Sequence, residues 1–258
     1  MSVTIKQPVL FRDLGLMEYR AAWDYQEKLM QENIAVKAAA NRSNETPHPA
    51  RETRDRDCST RNYLLFVEHP PVYTLGKSGK EENVLIDEAE RLEKGISFYK
   101  TNRGGDITFH GFHQVVGYPI LDLEKFSTDI GKYLRNLEEV IILTMAEYGL
   151  KGERSAGETG VWLDASIAGS ERKICAMGIR CSRWITMHGF AFNVNTDLSY
   201  FDHIVPCGIR DKQVTSLEKE LGFKPDINEV KLKLKRNFEN VFGVRLEEEL
   251  AKMIIEAE

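Results

Sequence analysis

Several things are scarce in this sequence of 258 residues, and each shortage excludes a class of protein. No apolar run approaches the roughly 18–20 residues that a helical membrane span needs. The stretch Met1–Asp13 is polar and lacks the apolar core of a secretory signal, so a soluble, cytoplasmic protein is expected. There are 4 cysteines, Cys58, Cys175, Cys181 and Cys207, at irregular spacing and without a CxxC pair. That argues against a zinc ribbon or a thioredoxin-like motif and fits free thiols in a reducing compartment. Basic charge is also in deficit: 35 Lys and Arg face 40 Asp and Glu, a formal net charge of −5. A nucleic-acid binder relying on a strongly basic field is thereby disfavoured. Neither a Walker P-loop nor a GxGxxG fingerprint occurs, so the glycine pairs that do occur are not read as nucleotide sites. Internal repeats and low-complexity tracts are absent, as is a regular βαβ alternation.

What is present is ordinary for a globular protein: 42% apolar and 29% charged residues. The length suffices for one large domain with a substantial core. We read residues 1–258 as a single catalytic domain with a mobile surface insertion at 36–61, where Asn41, Ser43, Asn44, Pro47 and Pro49 precede alternating charges around Arg51–Asp57. Leu16–Ile34 places Tyr19, Ala22, Trp23, Leu29 and Met30 at helical spacings. Tyr63–Glu68 and Val72–Leu75 read as strands interrupted by His69-Pro70-Pro71, which cannot continue a central strand. Thr128–Tyr148 carries a helical stripe that includes Leu137, Val140 and Ile141, with Gly149 beyond its end. Val161–Leu163, Ile174–Ile179 and Met187–Val194 read as further strands. Asp226-Ile227-Asn228-Glu229 resembles a capping box opening a helix, and a short Glu-rich helix is expected at the end. The pattern predicts an α/β (α+β) fold with a mixed β-sheet flanked by helices.

Three segments rich in Gly, His and charged residues sit between apolar strands. In Arg103-Gly104-Gly105-Asp106-Ile107-Thr108-Phe109-His110-Gly111 the paired glycines let backbone approach a ligand and present N–H groups to oxygen, though Gly-Gly is also a plain turn signal. In Glu171–Arg180, Lys173 stands where an apolar strand begins, a place that also suits a solvated lysine, while Cys175 and Cys181 read as packing residues. The third segment runs from His188-Gly189-Phe190-Ala191 to Val205-Pro206-Cys207-Gly208-Ile209. Cys207 lies between proline and glycine in a turn, where a thiol can be reached by a bulky donor or can simply be inert.

Taken in order, these segments resemble the octanoyl transferases, the lipoyl(octanoyl) transferase family of lipoate biosynthesis. The resemblance covers nearly the whole chain outside Val36–Arg61. It starts with Tyr19 and Gln26 on the first helix and with Glu68-His69-Pro70-Pro71-Val72-Tyr73-Thr74-Leu75-Gly76. It continues through the Arg103 segment, Lys173-Ile174-Cys175-Ala176-Met177-Gly178, His188-Gly189-Phe190-Ala191-Phe192-Asn193-Val194, and Pro206-Cys207-Gly208-Ile209 with Val214-Thr215-Ser216. It implies a catalytic domain like that of biotin and lipoate protein ligases. The activity implied is an acyltransferase moving an octanoyl or lipoyl group from acyl carrier protein to a lysine of lipoyl domains, the first step of protein lipoylation. The implied acceptors are 2-oxoacid dehydrogenase E2 subunits and the glycine cleavage H protein, and no cofactor, metal, nucleic acid or membrane is implied. By the same resemblance Cys207 is the acyl-thioester nucleophile and Lys173 its acid/base partner. The acyl site is lined by Arg103, Gly104, Gly105, Asp106, Ile107, Thr108, Phe109 and His110, by Ala176, Met177 and Gly178, and by Gly189, Phe190 and Ala191.

The chain departs from the family at one point. Phe112-His113-Gln114 stands where the family usually has Pro-Gly-Gln. If that glycine position needs a positive φ, His113 is strained there. Three rival readings remain: an ATP-dependent lipoate or biotin ligase of the same fold, which would not need Cys207; a thioesterase pairing Cys207 with His188 or His203; and a metal or redox module, which the scattered Cys and His spacing disfavours. His110 and His188 are conceivable extra bases, although positioning roles suit them better while a lysine fills the base role.

Overall fold

The computed structural model describes residues 6–45, 59–205 and 213–249. Strand β1 (Gln7–Leu16) leads into the long helix α1 (Tyr19–Glu45). Then follow β2 (Tyr63–Glu68), β3 (Val72–Leu75), the short α2 (Glu88–Glu93), β4 (Ser97–Lys100), β5 (Ile107–His110) and β6 (Gln114–Ile120). Helix α3 (Ile130–Ala146) precedes β7 (Val161–Leu163), β8 (Arg172–Ser182) and β9 (Ile185–Asn193). The last described elements are β10 (Gln213–Val214), α4 (Leu217–Leu221), α5 (Ile227–Phe242) and β11 (Val244–Glu248).

A mixed sheet runs in the order β10-β8-β9-β6-β2-β1-β11, with β7 also paired to β8, and a smaller sheet has the order β4-β3-β5. The central strands are buried on both faces, and their alternation divides the core. Leu64, Phe66, Val115, Phe190 and Phe192 face α3 and α5, where Leu137, Val140, Ile141, Leu234 and Phe238 pack against them. Tyr63, Leu65, Val67, Val116, Tyr118 and Ala191 face α1 through Ala22, Leu29 and Met30. A period of two in strands buried on both sides produces this split, and each fully buried aliphatic contributes about 1.5–3 kcal/mol. The small sheet packs its own cluster, Tyr73, Ile107 and Phe109, against Phe201 and Ile204.

Three details differ from the sequence pattern. Helix α1 continues through Val36 to Glu45, because Lys37-Ala38-Ala39-Ala40 has high helix propensity despite its polar surroundings. Lys37 fastens this turn of helix, donating to Asp122 Oδ1 and to the Arg183 carbonyl, both at 2.9 Å. The rest of the expected insertion, 46–58, lies outside the described residues. Second, β8 and β9 are longer than their apolar runs and form one hairpin. Its turn places Arg183 and Trp184 at φ 49° and 64°, the left-handed pair a tight hairpin needs, without the usual Asn-Gly signal. Third, the acidic segment after Gly243 is strand β11, paired in parallel with β1, rather than the beginning of a helix; residues from 250 on lie outside the described part. Its partner is remote in sequence, so local propensity cannot reveal it.

The turn between β5 and β6 bears on the Phe112-His113 departure. His113 has φ 59°, so the expected left-handed conformation is there and a non-glycine residue occupies it. Its backbone is held from both sides: the N–H donates to Glu68 Oε2 at 2.9 Å, and the carbonyl accepts from Asn195 N–H at 3.1 Å. A left-handed non-glycine residue costs about 1–2 kcal/mol, while glycine costs about 0.5–1 kcal/mol more chain entropy on folding. His113→Gly is therefore expected to raise the unfolding free energy by up to about 1 kcal/mol. The urea midpoint should rise at constant m; a clear fall would show that the imidazole makes a contact outweighing the strain.

Candidate active site

Lys173 lies near the start of β8, where Val214 of β10 pairs with it and Thr215 N–H donates to its carbonyl at 3.0 Å. Only 8% of the residue is exposed, so it is not the solvated strand-end lysine that the sequence allows. Strand β7 brings Trp162 beneath it, and Nζ stands 4.5 Å from the indole centroid in a cation–π contact. Gly160 closes this corner with φ +108°; a Cβ there would lie 2.4 Å from the Cys175 carbonyl oxygen. The fully buried carboxylate of Glu138 anchors the glycine, accepting from Gly160 N–H at 3.1 Å and from Arg154 Nε at 3.0 Å. Cys175 is buried and its thiol is pushed well up by that burial, as the packing reading expects. Cys181 is half-buried.

The Arg103 segment folds around its own guanidinium. Arg103 is buried and donates to the carbonyls of Gly104 (3.1 Å), Thr74 (2.6 Å) and Asp106 (2.8 Å), and to the Thr74 hydroxyl (3.0 Å). Asp106 in turn accepts from Ile107 N–H and from Asn83 Nδ2, both at 2.7 Å. Gly104 N–H donates to the Ile179 carbonyl at 2.8 Å, tying the loop to β8. Of the two roles open to Arg103 in the sequence, holding the loop is the one its contacts carry out.

Beside this cation lie three buried imidazoles whose tautomers follow from their partners. His69 Nδ1–H donates to the Met17 carbonyl at 2.7 Å, so Nε2 accepts from the Tyr118 hydroxyl at 2.8 Å. Gln114 donates through Nε2 to Phe109 O and Asn193 Oδ1, so its Oε1 accepts from His110 Nδ1–H at 2.9 Å. His188 Nε2–H donates to Asn102 Oδ1 at 2.7 Å. Burial lowers the His69 pKa to about 4. Burial, with the nearby Arg103 and Arg180 charges, lowers that of His188 to about 3. His110 is held well below the usual range by burial and then by the neighbouring His69. Tyr19 stacks on His110 with ring centroids 5.8 Å apart, and burial pushes its phenol up to about 12.

These parts enclose a cavity of about 280 Å³. Of the residues singled out in the sequence, Arg103, Gly105, Asp106, Ile107, Thr108, His110, Lys173, Ala176, Met177, Gly178, Gly189, Phe190 and Ala191 all border it. Gly104 and Phe109 do not: Gly104 is spent on the β8 contact, and Phe109 stacks on Tyr200 with centroids 4.6 Å apart. Cys207, like Cys58, lies outside the described residues. Sequence reasoning missed the wall formed by Gly157, Glu158 and Thr159, and also Tyr118, Phe201 and Val214. The glycines at 157 and 160, just before an apolar strand, are the only local signal that could have drawn attention to that wall.

A family model described as "Lipoyl protein ligase A/B catalytic domain" matches residues 18–239. The octanoyltransferase of Christiangramia forsetii is 57% identical over 243 residues, covering 94% of this chain and 99% of its own. That of Flavobacterium johnsoniae is 56% identical, covering 94% and 100%. Among solved structures, a bi-partite lipoate protein ligase from Thermoplasma acidophilum matches with TM-score 0.63 at 18% identity, over 96% of this chain and 89% of that one. A lipoate-protein ligase A bound with ATP matches with TM-score 0.62 at 16% identity, over 96% and 91%. At these identities the likeness is one of fold, and the mixed sheet with its flanking helices is the fold of lipoate protein ligases.

The neutral imidazole cluster makes stability depend on pH. Unfolded histidines take up protons below about pH 6.5, whereas these three resist protonation in the fold. Their contribution is complete above that pH and is lost as pH falls toward about 4, the pKa of folded His69. Three groups give a slope of about 4 kcal/mol per pH unit inside that window. Urea unfolding followed from pH 7 to pH 5 should show this loss; a flat profile would show that the imidazoles are already charged in the fold.

Proposed function

The chain belongs to the octanoyltransferase family, and from that premise we propose that it moves an octanoyl group from the thioester of acyl carrier protein to a lysine of a lipoyl domain, through an acyl-thioester on Cys207. The observation that carries this reading is the placement of Lys173, buried on Trp162 at one end of the cavity, with Val214 paired to it. The segment that holds Cys207 thus rejoins the described fold at the lysine. In this reading the Cys207 thiolate attacks the donor carbonyl, the carbon–sulfur bond to the carrier breaks, and the departing carrier sulfur takes a proton from the Lys173 ammonium. An ammonium beside a thiol also favours the thiolate that attack requires. The acceptor amine then attacks the acyl-enzyme. Neutral Lys173 takes its proton, an amide forms, and Cys207 leaves as thiolate.

Thioester-for-thioester exchange followed by amide formation needs no ATP, in keeping with a chain that lacks a P-loop. Val116, Met177 and Ile107 give the cavity an apolar lining suited to an alkyl chain. Lipoyl domains of 2-oxoacid dehydrogenase E2 subunits and the H protein are the acceptors in this reading, and the reaction would run in the cytoplasm.

Incubation with octanoyl-carrier protein is expected to add one octanoyl mass, mapping to Cys207. Cys207→Ala should abolish both the adduct and the transfer while leaving the circular dichroism spectrum unchanged; near-normal activity in this variant would sink the mechanism. Lys173→Ala should lower kcat/KM about 100-fold or more at neutral pH. An unchanged rate would remove its role, and a strict requirement for ATP would favour the ligase reading.

A further inference from the structure

We infer that the inner end of the cavity carries a second recognition element, the bare Nδ1 of His188, which accepts a hydrogen bond from a hydroxyl or thiol near the far end of the bound acyl chain. This deepens the acyl reading above and rests on it.

His188 borders the cavity and is 1% exposed. Because Nε2–H is given to Asn102, Nδ1 carries a lone pair, and among the described residues that buried atom has no hydrogen-bond partner. It is the exception in its cluster, since both nitrogens of His69 and of His110 are engaged. The ring is confined by the Trp23 indole at 6.2 Å and the Tyr118 ring at 6.5 Å, so its lone pair is not free to turn elsewhere.

The backbone beneath it is strained. His188 has φ 58° inside β9, a conformation that L side chains rarely adopt. Gln26 of α1 holds it there: its Oε1 accepts from His188 N–H at 2.9 Å while its Nε2 donates to the Ala22 carbonyl. A strained residue fixed by a separate helix, ending in an unused acceptor beside a cavity, points to a ligand contact.

The register supplies the direction. His188 pairs with Ile179, which follows Lys173 by 179 − 173 = 6 residues along β8, or about 20 Å of extended strand. With the reacting carbonyl at the lysine, the tail of the chain runs toward His188. A saturated tail would leave Nδ1 against hydrocarbon and cut off from water, whereas a donor on the distal carbons would satisfy it. The substrate class is an acyl chain bearing a distal hydroxyl or thiol, handled alongside the plain octanoyl chain.

The test compares kcat/KM for octanoyl-carrier protein and for its terminally hydroxylated analogue, in the unaltered protein and in His188→Phe. The hydroxylated-to-plain ratio should fall about threefold to tenfold in the variant; an unchanged ratio overturns the assignment. In case the variant folds poorly, nitrogen-15 NMR of the unaltered protein provides an independent measure. The His188 Nδ1 resonance should be that of an unprotonated nitrogen and should move when Cys207 carries the hydroxylated chain but not the plain one. A proton on Nδ1, or the same shift with both chains, overturns it. If the unaltered protein transfers neither chain, the acyl reading falls as well; if it transfers octanoyl while the ratio stays fixed, only the His188 assignment falls.

Discussion

A guanidinium in a protein interior costs several kcal/mol of lost hydration unless its protons find acceptors. Around Arg103 the carbonyls of Thr74, Gly104 and Asp106 supply them, and the surrounding backbone has to bend to do so. That demand sets the glycines. A Cβ on Gly76 would lie 2.2 Å from the Gly105 oxygen and 2.9 Å from Arg103 Nη1, and one on Gly178 would lie 2.5 Å from the Gly104 oxygen. Small sheet, loop and β8 can therefore close on the cation only where side chains are missing. The same charge reaches the imidazoles, adding to burial in keeping His110 and His188 neutral.

Neutral imidazoles give the site directional hydrogen bonds without further charge. From His110 a chain of such bonds passes through Gln114 and Asn193 to the Thr215 carbonyl, and Thr215 N–H returns to the Lys173 carbonyl. The loop that closes one side of the cavity is thus wired to the strand that carries the lysine. Nearly all of these groups sit on strands buried on both faces, which hold a reacting geometry more tightly than loops can. Two non-glycine residues at the site, His113 and His188, keep left-handed backbones because hydrogen bonds from other elements over-determine them. One of them stands where a glycine would be easier, so the chain tolerates strain at the rim of its cavity.

Much of the fold was legible beforehand, for a local reason. β2 and β3 follow their apolar runs because His69-Pro70-Pro71 interrupts them, and α3 and α5 follow their stripes because Asp129 and Asp226 cap them. The ends of β8 and β9 were not legible, since their outer residues are strand only by pairing with each other. The same holds for β11, which depends on β1 at the opposite end of the chain. The turn of α1 beyond Val36 was misjudged by giving the weight to polarity over alanine content.

For the site, the order of the motifs alone identified the three segments that meet, and it singled out Lys173, the Arg103 segment and His188-Gly189 as chemistry rather than packing. Residue types carry that information because few side chains can form a thioester, move its proton or let backbone pass at van der Waals contact. What the sequence could not contain is direction and burial. That Lys173 is covered by Trp162, that Arg103 turns inward onto its own loop, that Phe109 faces away from the cavity and that His188 keeps one nitrogen unused were all decided by packing between elements distant in sequence. Such contacts exist only once the sheet is assembled, because hydrogen-bond partners and solvent exposure are properties of the neighbours a residue acquires and not of the residue itself.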